Sequence, residues 1–232
     1  MKKVFVIAVA LLGFASGLSA QTLGFTANEE LMTKYVWRGM MPGNFPTMFS
    51  PGGSTDVGLN FTSADENFYA ETFFWTYQSM NVPMHYSEYQ FTIYTEFHGV
   101  HLEWNNYFGD MGEVGIGYTL PGAVPASFTF YTSLYGDDYD ETDTKRNFSN
   151  YMELVVPYNV GNWDFQLTVG AVPRKSVYYE SDGFGLSNLL LQAGYTFEIN
   201  DILSVPVKAV GGYSPLYKTP LYYATVGLSL AL

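Results

Sequence analysis

The sequence changes character at every second residue. From 88 to 98, Glu88, Gln90, Thr92, Tyr94, Glu96 and His98 alternate with Tyr89, Phe91, Ile93, Thr95 and Phe97. An extended chain sends successive side chains to opposite faces, so this pattern builds a ribbon with one polar and one apolar side. Residues 101–108 repeat it, with His101, Glu103, Asn105 and Tyr107 set against Leu102, Trp104 and Phe108. Residues 188–199 do so again: Asn188, Gln192, Gly194, Thr196 and Glu198 oppose Leu189, Leu191, Ala193, Tyr195, Phe197 and Ile199. No stripe of helical period competes after residue 20. Applied along the chain, the pattern predicts twelve strands, near 23–39, 55–63, 68–78, 86–98, 101–108, 113–120, 125–136, 149–157, 162–172, 188–199, 203–213 and 221–232.

The connections between these strands alternate in length. Five are short: 63–67, Gly99-Val100, 121–124, 158–161 and 200–202. Those on the other side are mostly longer: 40–54, 79–85, 137–148, 173–187 and 214–220, with 109–112 as a short exception. Closing residue 98 opposite 101 would pair Phe97 with Leu102 and Glu96 with Glu103, so both faces match across the turn. Several strands reach the ~9–11 residues that a tilted strand needs to cross a bilayer.

Composition selects among the folds that alternate. Aromatic residues make up 18% of the chain and charged residues only 14%, a surface that would drive a soluble protein to aggregate. Yet after residue 20 no apolar run approaches the ~18 residues of a membrane-crossing helix. A wall that faces lipid outside and water inside reconciles the two. The expected fold is all-β: a transmembrane antiparallel up-and-down β-barrel of about twelve strands. A soluble β-sandwich also alternates but does not need an apolar outer face on nearly every strand. A soluble barrel with apolar positions inside cannot be separated by periodicity alone.

The start of the chain points the same way. Lys2 and Lys3 precede an apolar stretch, Val4–Leu12, and a small-residue stretch, Gly17-Leu18-Ser19-Ala20. That is the pattern of a secretory signal peptide, so residues 1–20 are expected to be removed after Ala20, leaving a barrel over 21–232. The expected location is the bacterial outer membrane. There is no cysteine, so neither a lipid anchor on cysteine nor a disulfide framework is available. The net charge of −12 repels nucleic acid and excludes it as a partner. The partners expected instead are the lipid bilayer, lipopolysaccharide, the outer-membrane assembly machinery and small solutes.

The first strand contains Thr33-Lys34-Tyr35-Val36-Trp37-Arg38-Gly39, and the last ends Ala224-Thr225-Val226-Gly227-Leu228-Ser229-Leu230-Ala231-Leu232. The first of these segments resembles the TorF-like putative porins, in which it closes the first strand of the mature barrel. The resemblance implies a barrel and a channel, and no defined substrate. Many outer-membrane barrels end in an aromatic residue, whereas this chain ends in Leu232. On alternation alone, Tyr35 and Trp37 would sit at the outer membrane interface, with Lys34 and Arg38 pointing inward.

The inward face carries the candidate lumen and solute-binding residues. Lys34 and Arg38 are its bases near the outer end, with Lys208 below. Its acids include Glu71, Glu88, Glu96, Glu103 and Glu153, together with Glu30, Asp56, Glu113, Asp164 and Glu198. Tyr69, Tyr94, Tyr131 and Gln192 share the face, as do Tyr77, Tyr107, Tyr135, Tyr151 and Tyr223. A negative lumen favours cations, and tyrosine rings can stack on sugars or nucleosides. The expected role is passive diffusion of small cationic or neutral solutes. The alternative is a plugged structural or surface-interaction barrel.

Glu96, His98, His101 and Glu103 flank one turn, and two imidazoles with two carboxylates can ligate zinc, or serve as a pH-sensitive charge cluster. No metal or other cofactor is expected. The acidic loop 136–143 lacks the glycine and closing glutamate of an EF-hand and reads as a solvated outer loop. Enzymatic motifs are missing: no histidine lies beside a serine, and there is no G-x-S-x-G, P-loop or dinucleotide fingerprint. The chain is not expected to be an enzyme.

Overall fold

The computed structural model describes residues 20–41, 51–63, 68–80, 86–139, 142 and 144–232. The expected leader therefore lies outside the described residues, apart from the backbone of Ala20. So do parts of loops 40–54, 79–85 and 136–143.

Twelve strands follow one another: β1 (Ala20–Met32), β2 (Gly52–Ser63), β3 (Phe68–Ser79), β4 (Ser87–Phe97), β5 (Val100–Tyr107) and β6 (Met111–Thr119). Then come β7 (Ser127–Gly136), β8 (Asn150–Val160), β9 (Trp163–Val172), β10 (Gly185–Glu198), β11 (Leu203–Ser214) and β12 (Thr219–Ala231). Each pairs antiparallel with its sequence neighbours, and β1 pairs with β12, from Thr26 opposite Ala231 to Met32 opposite Thr225. The sheet is closed, so every strand has two partners and no edge is left unpaired. Beyond the last strand pair, Phe25 and Leu232 still exchange two backbone hydrogen bonds of 2.9 Å.

The two faces of the wall are inverted relative to a soluble barrel. Leu59, Leu102, Ile116, Leu191 and Phe197 are each more than half exposed on the outside. Inside, Thr92, Asn105, Glu113 and Asn188 are each only 1% exposed. Polar groups inside and large apolar groups outside remove the soluble alternatives, both of which require an apolar interior.

Three expectations need correction. First, β1 stops at Met32 rather than continuing to residue 39. The Thr33 amide still donates to the Ala224 carbonyl at 2.9 Å, but its hydroxyl accepts from the Ala224 amide at 3.0 Å. A side-chain oxygen thus substitutes for the next ladder carbonyl, and the backbone is free to leave the wall. Second, the β4–β5 turn is His98-Gly99, so Phe97 pairs with Val100 and Glu96 with His101. His98 (φ 50°) and Gly99 (φ 80°) both take left-handed conformations, as a two-residue primed turn requires. Moving the closure by one residue on each arm keeps the paired side chains on their expected faces but takes His98 off the inward face and into the turn, against Phe97. Third, Tyr135 points outward, 39% exposed, with its hydroxyl donating to Asn106 at 2.7 Å. A register shift sets Gly112 opposite Tyr135 but Glu113 opposite Ser133, and the extra residue reverses the alternation.

Candidate functional site

After Met32 the chain turns into the barrel as a strap, residues 33–41. Its tip is a tight hairpin in which Trp37 and Met40 exchange backbone hydrogen bonds of 3.0 and 2.8 Å. Arg38 (φ 50°) and Gly39 (φ 82°) occupy the two left-handed positions of that turn. Gly39 is required twice over. A Cβ there would stand 2.1 Å from the Ser187 carbonyl oxygen of β10, and the backbone angle itself favours glycine.

The hairpin delivers Arg38 to a site whose other members come mostly from the wall and from the β9–β10 loop. Its guanidinium donates to both carboxylate oxygens of Glu113, at 2.6 and 2.7 Å, and to the Tyr179 hydroxyl at 2.7 Å. Three rings surround it, with centroids at 4.6 Å (Trp37), 4.3 Å (Tyr131) and 4.4 Å (Tyr151). Desolvation by burial opposes the charge on Arg38. Glu113, with Tyr179 and Tyr107, more than offsets it, so the pKa rises above its ordinary value and the cation persists. Each ring contact of this kind contributes about 0.5–2 kcal/mol, more where water is excluded.

The site's walls are held by the barrel, not by Arg38. The Tyr131 hydroxyl donates to Glu103 at 3.1 Å, and that of Tyr151 to Glu153 at 2.7 Å and Asn188 at 3.1 Å. Asn105 donates to Glu113 at 3.2 Å and also to Glu103. Tyr179 comes from the β9–β10 loop, whose Ser176 hydroxyl accepts the Tyr179 amide at 3.0 Å. The loop is tied down by a Ser176–Ser149 contact of 2.5 Å and by two bonds from Ser149 to buried Asp138 at 2.7 Å. The Tyr217 hydroxyl donates to the Tyr179 carbonyl at 2.9 Å. The β9–β10 loop therefore carries Tyr179 into the lumen site.

Tyr35 and Trp37 also correct an expectation. They face the lumen instead of the membrane interface, because the strap has left the wall. Tyr35 stacks on Tyr77 with centroids 4.6 Å apart and donates to Glu88 at 3.0 Å. Trp37 stacks on Tyr179 at 6.0 Å and meets Tyr107 edge-on at 5.6 Å.

The other sequence candidates form separate groups. Strand register sets Tyr69 opposite Glu96, and Tyr94 opposite both Glu71 and Glu103. Tyr69 donates to Glu71 at 3.0 Å and Tyr94 to Glu96 at 2.6 Å. Across the barrel, Gln192 donates to Asp164 at 2.8 Å, and Lys208 meets Glu30 at 3.4 Å. Lys34 is buried in the strap, and desolvation lowers its pKa. Glu96, His98, His101 and Glu103 do not converge as expected. His98 occupies the turn with its ring against Phe97, while His101 bonds Thr129 at 2.8 Å. Among the described residues no three His, Asp or Glu stand together as a metal site.

Sequence reasoning missed Tyr179 and the plugging role of the strap. The one local signal was Arg38-Gly39, a dipeptide able to occupy a left-handed turn where a continuing strand has no use for it.

No family profile matches the chain, and neither does any curated protein. Solved barrels do match. An outer-membrane channel from Pseudomonas putida F1 is 10% identical over 93% of this chain and 96% of that one, with a TM-score of 0.49. Salmonella typhi OmpF in complex with daunomycin is 11% identical over 91% and 97%, with a TM-score of 0.38. Outer-membrane phospholipase A from Escherichia coli is 9% identical over 94% and 96%, with a TM-score of 0.44. At such identities and scores nothing of their activities carries over to this chain.

Proposed function

We propose that this chain is an outer-membrane channel for small cationic or neutral solutes, closed by the strap 33–41, and that it belongs with the TorF-like porins its first segment resembles. The observation that carries this reading is the origin of the plug. The cation in the Glu113 site comes from a hairpin hung on one strand end, while acids and tyrosines line the wall itself. Trp37 and Met40 pack against the buried cluster of Tyr151, Val172 and Tyr179, but the contacts of Arg38 are polar and aromatic, and water can replace the polar ones once the strap withdraws. A plug held by apolar packing alone offers no such exchange. The apolar outer wall supports insertion in a bilayer after export and removal of residues 1–20. Lipopolysaccharide at the outer loops and the assembly machinery at the last strand are the macromolecular partners of this reading.

Planar-bilayer recording in a potassium chloride gradient tests it. The native chain should give rare discrete current steps and the Arg38→Ala variant frequent ones, with a reversal potential of cation-selective sign. A lack of steps in both would leave the second reading, a plugged surface-interaction barrel. That alternative draws its support from the Asp138–Ser149–Ser176 tie that fixes two outer loops to each other.

A further inference from the structure

The Arg38 site has the composition of a receptor for a ligand. We infer that it is a binding site for a free guanidinium-bearing solute, and that Arg38 is its tethered occupant. A planar cation is recognised there in two ways at once. Glu113 offers both carboxylate oxygens along one edge of the guanidinium. Tyr131 and Tyr151 supply ring faces at 4.3 and 4.4 Å. Neither feature depends on the strap. Tyr131 is anchored by Glu103, Tyr151 by Glu153, and Tyr179 by the loop and by Tyr217. Withdrawing Arg38 therefore leaves the site standing, with three carboxylates and no base among the residues that build it.

The strap is poised to be exchanged. Its tip residue sits in a left-handed backbone conformation that is unfavourable for a non-glycine residue, and that strain is relieved on release. A free guanidinium that takes the site displaces Arg38, and the hairpin carrying it no longer blocks the lumen. The solute class that crosses would then be the class that opens the path. This inference rests on the channel reading for transport only; binding at the site is measured without it.

Titration calorimetry of the purified chain in detergent micelles, with methylguanidinium chloride at constant ionic strength, tests the proposal. Arg38→Ala should bind methylguanidinium at least about tenfold more tightly than the native chain, whose site is occupied for most of the time. Adding Glu113→Gln to Arg38→Ala should abolish the gain. Arg38→Met, which keeps most of the side-chain volume, serves if the alanine variant does not fold. In the native chain, saturating methylguanidinium should speed chymotrypsin cleavage after Tyr35 and Trp37, with sodium at equal strength as the control. Absence of binding in a folded Arg38 variant, binding indifferent to Glu113→Gln, or a strap equally resistant with and without methylguanidinium would each overturn the inference. Missing bilayer currents alongside intact binding would instead count against the channel.

Discussion

Replacing Glu113 with glutamine should release the strap while leaving the wall in place. The two side chains of the pair are 8% (Arg38) and 1% (Glu113) exposed, with contacts of 2.6 and 2.7 Å. Removing one partner of such a buried pair leaves an uncompensated charge and costs about 3–5 kcal/mol. Glutamine still accepts one of the two bonds, and the three rings remain, so the lower end, about 3 kcal/mol, applies. The cheapest response is for the strap to move into water, where the guanidinium is hydrated. At about 1.4 kcal/mol per decade, the closed-to-open ratio falls roughly 100-fold. Asn105 and Tyr107, the wall neighbours of Glu113, can both donate to a glutamine oxygen, so barrel closure should hold. Limited trypsin digestion reads the effect, because Lys34 and Arg38 are the two tryptic sites in the strap and both are buried in the closed form. Where reclosing outruns cleavage, the cutting rate follows the open population. The Glu113→Gln chain should be cut at these two bonds roughly 100-fold faster, with unchanged far-ultraviolet circular dichroism. An unaltered cutting rate would refute the argument that this pair holds the strap.

Two further outcomes test other parts of the structure. Leu191, 64% exposed at the middle of β10, faces lipid in this reading, so Leu191→Arg should lower stability to urea in lipid vesicles by about 2–4 kcal/mol; a neutral result would remove lipid from that face. Lys34 carries a pH dependence of known sign. Its folded-state pKa lies below the ordinary 10.5, so the unfolded or released strap binds the proton more tightly. Closure of the strap should therefore strengthen as pH rises from that lowered value towards 10.5, and Lys34→Met should abolish the trend in chymotrypsin protection.

Much of the wall was legible in the residues because its physics is local. Side-chain alternation has a period of two in any strand, whatever that strand pairs with. The faces of 88–97 and 188–198 therefore followed from reading residues one after another, and so did the twelve strands. Leu102 and Leu191 had to point out, Glu103 and Gln192 in, once an apolar belt was required. Where the reading slipped, a single residue had broken the period: the extra residue beside Tyr135, and the left-handed pair His98-Gly99 that set the turn one position early.

The candidate site was hidden for the opposite reason. Lys34-Tyr35-Val36-Trp37-Arg38 alternates polar and apolar residues as well as any strand, so periodicity cannot say whether the segment runs in the wall or inside it. That choice depends on partners far away in the chain: Glu113 on β6, Tyr131 on β7, Tyr151 on β8 and Tyr179 between β9 and β10. They converge only when the sheet closes. The sequence by itself determined the closed barrel and its inverted faces, because lipid outside and water inside leave few other arrangements for alternating strands. The tertiary structure alone decided that residues 33–41 leave the wall and carry Tyr35 and Trp37 into the lumen with Arg38, because the carboxylate and rings that hold the guanidinium come from strands and a loop far apart in the chain.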